Sequence, residues 1–144
     1  MTKIAFYGAS VTQQRNGFVD HFAKLFKAKV LKFGFGGMHL SDAGICFIDK
    51  VVVARPEICF VDWFSTWYMD QDGKFDLYID AIVEKLQKID CRVIFLFFPQ
   101  NKDFVTFFAR RFLLFARAGG HFYLCPVEFG RNSRSCAGVS PLSG

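Results

Sequence analysis

The chain has 144 residues and a mass of 16.5 kDa, enough for one domain with a substantial buried core. At 52% hydrophobic and 22% charged, with 20 phenylalanines, it is not a disordered chain, and no apolar run approaches the roughly 18 residues that cross a membrane. The net charge is +5, with 12 basic and 11 acidic side chains through residue 101 and 6 against 2 thereafter; the arginines are scattered, so no nucleic-acid partner is expected.

Taken in chain order, residues 3–7 read as a short buried strand stopped by Gly8-Ala9-Ser10. Phe18, Phe22, Leu25 and Phe26 repeat at helical spacing, which predicts an amphipathic helix over about residues 16–27. Residues 30–33 are a second strand, followed by the glycine turn Gly34-Phe35-Gly36-Gly37. Ser41-Asp42 can cap a helix that turns Ile45, Ile48, Val51 and Val52 inward, and Arg55-Pro56 ends it, because a residue before proline disfavours helical torsions. Residues 58–61 are a third strand and 63–73 a loop. Phe75, Tyr78, Ile79, Ile82, Leu86 and Ile89 mark a helix over about 74–89, and residues 92–98 a fourth strand ended by Pro99. Residues 102–117 read as a largely buried helix and 122–125 as a fifth strand.

Strands separated by helices of this length imply parallel pairing. The expected fold is a three-layer α/β/α sandwich around a mostly parallel five-stranded sheet, with residues 1–128 as the domain. Residues 129–144 hold four serines and three glycines with few sizeable aliphatics, so they read as a flexible tail, or as a truncated or frame-shifted end.

The amino terminus has a lone Lys3, a short apolar piece and then polar residues, unlike a secretory signal, so a cytoplasmic location is expected. Five cysteines, an odd number without a Cys-x-x-Cys pair, argue against a disulfide framework or a zinc site; Cys59, Cys91 and Cys125 fall in or beside apolar strands as small hydrophobes.

In an open parallel sheet, ligands bind beyond the carboxyl ends of the strands. Three such ends carry suggestive residues: Gly8-Ala9-Ser10-Val11-Thr12, Gly34-Phe35-Gly36-Gly37 and Asp62-Trp63-Phe64-Ser65-Thr66. On one rim they would bring a hydroxyl, a glycine N–H and a further side-chain donor together, the set that acyl transfer needs.

These segments resemble the SGNH (GDSL-type) hydrolases. The stretch from Ile4 to Thr12 is similar to the family's first block, an apolar strand leading to Gly-Asp-Ser with a nucleophilic serine. The glycine turn is similar to the second block, whose last glycine donates to the oxyanion, and the stretch from Pro56 to Thr66 to the third, whose asparagine aligns with Thr66. The resemblance implies acyl-ester hydrolysis with Ser10 as nucleophile and Gly37 and Thr66 as oxyanion donors. It implies no cofactor or metal, and a small-molecule or carbohydrate ester as substrate, an O-acetyl group on a sugar being one candidate. Oligomeric state is left open.

The sequence departs from the family at Ala9, Phe64 and Thr66, which stand where the family has aspartate, glycine and asparagine. No Asp-x-x-His, the family's source of general base and orienting carboxylate, occurs in these 144 residues. His21 falls in the first helix, His39 after the glycine turn and His121 at the start of the fifth strand, none at the family position. Without a base the chain is expected to be a weak or inactive hydrolase. His39 reads as a surface loop residue, Asp62 and Asp70 as solvated loop carboxylates, and Trp63, Trp67 and Tyr68 as either an aromatic wall or core. The phenylalanines at 95–98 and 104–115 read as core. Two other readings compete: a non-catalytic interaction protein or hydrolase remnant, and a nucleotide-binding α/β domain, although no phosphate-loop glycine motif is present.

Overall fold

The computed structural model describes residues 1–64 and 73–96. Among them, four parallel strands form one sheet in the order β2-β1-β3-β4. The strands are β1 (Lys3–Gly8), β2 (Lys29–Gly34), β3 (Ile58–Val61) and β4 (Arg92–Phe95). Their starts agree with the sequence reading to within a residue. The expected helix at 102–117, the fifth strand at 122–125 and the boundary at 128 lie outside the described residues.

Alternation along β1 builds the two cores. Ala5 and Tyr7 pack on one face with Cys59 and Val61 of β3, and Ile4 and Phe6 pack on the other. Both sets are buried, so β1 reads as a continuous apolar run, as expected of a parallel strand covered on both sides. Register runs from Ile4 beside Val30 and Ile58 to Tyr7 beside Phe33 and Val61.

The smaller core is aromatic. The Phe6 ring meets Phe18 at 5.5 Å, Phe22 at 5.1 Å and Phe60 at 4.7 Å between centroids. Phe18 and Phe22 come from α2 (Phe18–Leu25), whose four-residue spacing puts both rings on the sheet side. Each such ring pair adds about 0.5–1.5 kcal/mol beyond its area burial.

The larger core lies under α3 (Ile48–Ala54) and α4 (Phe75–Gln87), preceded by a π-helical turn at Leu40–Gly44. The sequence predicts one helix running from a Ser41-Asp42 cap to Arg55-Pro56, but the segment is broken in two and neither piece has a side-chain cap. The π turn lets the Tyr7 hydroxyl donate to the carbonyls of Ala43 at 2.9 Å and Gly44 at 2.6 Å, bonds that a buried phenol needs. Burial pushes the Tyr7 phenol far above its usual range, so it remains a neutral donor. Arg55, left-handed at φ 47° ahead of Pro56, ends α3 as the sequence predicts. Phe75, Ile79, Ile82 and Leu86 form the buried stripe of α4, with Asp76 in its first turn and Lys85 in its last, each suited to the helix dipole.

Candidate functional site at the carboxyl rim of the sheet

The carboxyl ends of β1, β2 and β3 are tied together by backbone hydrogen bonds. The Phe35 N–H donates to the Gly8 carbonyl at 2.9 Å, and the Asp62 N–H to the Tyr7 carbonyl at 3.0 Å. The three segments singled out by sequence therefore do begin on one rim.

Beyond Gly8 the chain turns at buried Ala9 into a single helical turn, α1 (Ser10–Gln13), which the sequence reading missed. Ser10 opens this turn and is exposed. Thr12, two residues on, is fully buried, and its hydroxyl donates to Oδ2 of Asp62, also fully buried. Asp62 is thus not the solvated loop carboxylate expected. Its N–H still bonds across to β1, so it belongs to the end of the sheet, and a carboxylate placed there needs an internal donor. The pair fixes the residue type at position 8. A Cβ on Gly8 would stand 2.5 Å from Asp62 Cγ and 2.8 Å from Thr12 Oγ1.

The glycine turn receives the opposite side of α1. A Cβ on Gly34 would lie 2.3 Å from the Gln13 backbone nitrogen and 2.4 Å from its Cα. The Gly36 N–H donates to Gln13 Oε1 at 2.7 Å, and a Cβ on Gly36 would be 2.0 Å from that oxygen and 3.8 Å from the Ser10 Cα. Gly37 differs: the space around it is open, and its φ of +73° selects glycine through the backbone. Among the described residues, no carbonyl accepts the Gly37 N–H.

Other sequence-singled residues fall as follows. Thr66, Trp67, Tyr68, Asp70 and His121 lie outside the described residues. His39 precedes the π turn and is half-buried, and His21 is exposed on α2. Trp63 is core, its ring 5.4 Å from Tyr7 and 6.3 Å from Phe35. Phe95 is likewise buried, as the sequence reading has it; the other phenylalanines of the two clusters lie outside the described residues. Burial, reinforced by Cys91, pushes the Cys59 thiol up, and burial alone raises Cys91 to about 11, so neither is a thiolate at neutral pH. No group of three or more His, Cys, Asp or Glu suited to a metal ion occurs among the described residues, and no helix there is long and apolar enough to cross a membrane.

Sequence reasoning missed Thr12 and Gln13. The one signal available was a polar pair two and three residues after the candidate nucleophile.

No protein-family model matches the sequence, and no curated protein matches it. Solved structures do. A protein assigned to the G-D-S-L lipolytic family from Desulfitobacterium hafniense superposes with a TM-score of 0.70 at 16% identity, over 86% of this chain and 77% of that one. The esterase EstA from a Pseudoalteromonas species gives 0.66 at 15% identity, over 87% and 78%. The acetylxylan esterase Axe2 from Geobacillus stearothermophilus gives 0.61 at 12% identity, over 84% and 74%; catalytic mutants of that enzyme alter an aspartate, a serine and a histidine. The parallel sheet with its flanking helices is the α/β fold of the SGNH (GDSL-type) hydrolases.

Proposed function

We infer that the chain descends from a serine esterase of the SGNH type and acts on acyl esters through Ser10. The observation that carries this reading is the placement of exposed Ser10 at the end of the central strand β1, directly against the glycine turn. In the proposed step the Ser10 hydroxyl oxygen bonds to the ester carbonyl carbon and its proton passes to solvent. The ester C–O bond then breaks and the leaving oxygen takes a proton from solvent to depart as the alcohol, leaving an acyl-serine that water hydrolyses to the acid and free Ser10. The N–H groups of Ser10 and Gly37 and the hydroxyl of Thr66 receive the developing oxyanion. The acetylxylan esterases among the structural relatives favour an O-acetyl group on a carbohydrate as substrate.

These 144 residues contain no Asp-x-x-His, the family's source of a base for the serine proton. General-base help is worth about 10²–10⁴-fold, and an oxyanion site with binding alone retains about 10³–10⁴-fold over water. We therefore expect slow turnover. p-Nitrophenyl acetate suits the test, because its leaving group departs as a stable phenolate and needs no proton. Ser10→Ala should abolish the protein-dependent rate. Equal rates for the two proteins would select the second reading, a non-catalytic remnant, which the missing base favours.

A further inference from the structure

The glycine turn and the nucleophile turn are separate segments, and an oxyanion donor is useful only at a fixed distance from the attacking oxygen. We propose that Gln13 is a positioning residue that sets this distance by holding the Gly34–Gly37 turn against α1; the proposal rests on the reading of Ser10 and Gly37 given above.

Three observations converge on Gln13. Its side-chain Oε1 accepts the Gly36 N–H at 2.7 Å, one residue before the candidate oxyanion donor. Its own backbone nitrogen and Cα fill the space where Gly34 would carry a Cβ. It also ends the four-residue helical turn that Ser10 begins. One residue thereby touches the glycine turn through both main chain and side chain, and does so from the same helical turn as the hydroxyl. The other side of α1 is fixed independently, by Thr12 donating to buried Asp62 at the end of β3. With α1 anchored there, the remaining freedom lies in the glycine turn, whose outer residues Gly36 and Gly37 have no side chains with which to pack.

The contact is at the surface. A solvent-exposed hydrogen bond between neutral groups adds little to folding, because water replaces it on either side of the equilibrium. Gln13 therefore contributes to geometry more than to stability, and this separates the proposal from a merely structural role. Accepting the Gly36 N–H restrains the peptide immediately before the one that carries the Gly37 N–H, and so narrows the positions the turn can take.

The test compares wild type, Ser10→Ala and Gln13→Leu, the last keeping side-chain bulk while removing the acceptor. Steady-state hydrolysis of p-nitrophenyl acetate is measured alongside the thermal midpoint and the amide NMR signals of Gly36 and Gly37. Expected for Gln13→Leu is a Ser10-dependent kcat lowered about tenfold with KM unchanged. The midpoint should stay close to wild type and the Gly36 amide proton should move upfield on losing its acceptor. A kcat within twofold of wild type, or a loss confined to KM, overturns the proposal and leaves the Ser10 reading intact. Equal rates for wild type and Ser10→Ala overturn both, and that result is visible before Gln13 is considered. Should Gln13→Leu fail to fold, solvent exchange at the wild-type Gly36 amide decides: protection supports the latch, and exchange as fast as in an open loop overturns it.

Discussion

Glycine serves two different purposes at the two ends of the turn that follows β2. At Gly34 there is no room, because the main chain of Gln13 occupies the space a side chain would need. At Gly37 there is ample room, and the constraint lies in a φ of +73°. The first is a docking surface for α1, and the second is a turn position selected by its left-handed torsion. Identical residues three positions apart thus answer to packing in one case and to torsion in the other.

The sharpest way to break this contrast is to add one methyl group at each. Gly34→Ala drives a Cβ into backbone atoms that cannot swing aside, and should cost about 3 kcal/mol or prevent folding. Gly37→Ala meets no atom and should cost only about 1 kcal/mol, the penalty of a left-handed torsion. Any ester hydrolysis due to Ser10 should nevertheless fall in the second variant, since relaxation of φ re-aims the N–H. Denaturant melts of both proteins, with p-nitrophenyl acetate rates on the second, give the comparison directly; equal destabilisation would erase it.

A smaller effect tests the anchor on the other side of α1. Thr12→Val removes the hydroxyl that donates to buried Asp62 at almost constant volume, and should cost about 1–3 kcal/mol. Thr12→Ser, which keeps the donor, should recover most of that loss. If valine and serine behave alike, shape and not the hydrogen bond holds the turn.

The smallest effect lies far from the rim. Lys32 donates to Asp20 at 2.7 Å at the surface, and this hydrogen bond, more than the charge attraction, holds the Asp20 carboxyl below its usual range. A carboxyl whose folded value is depressed contributes fully above its unfolded value, and the contribution is lost as pH falls through the folded one. Asp20→Asn should therefore lower the thermal midpoint slightly at neutral pH, leave it unchanged in strong acid, and do less in high salt.

Much of the fold was legible because periodicity reports burial directly. The stripe Phe75, Ile79, Ile82, Leu86 could be only a helix face, and β3 was bounded by Pro56 and by the polar step at Asp62. The site was less legible because its contacts are non-local. Nothing near Asp62 in the chain announces that Thr12, fifty residues earlier, will bury it. The π turn was hidden for the same reason: its Ala43 and Gly44 carbonyls accept from the hydroxyl of Tyr7, which arrives from the sheet below. Ser10 and Gly37 were visible as residue types after strands. The contacts by which Gln13 joins their two turns, to Gly36 through its side chain and to Gly34 through its main chain, were not visible.

The strand order has a consequence for how the protein is made. β1 leaves the ribosome before its partners β2 and β3, and its second flank is not covered until Ile58–Val61 has emerged. Until then the nascent chain displays an apolar ribbon, Ile4 to Tyr7, with open hydrogen-bonding edges. Closing the second edge of β1 takes contacts spanning more than fifty residues, so folding should be slow for a domain of this size and dependent on protection of that ribbon during synthesis.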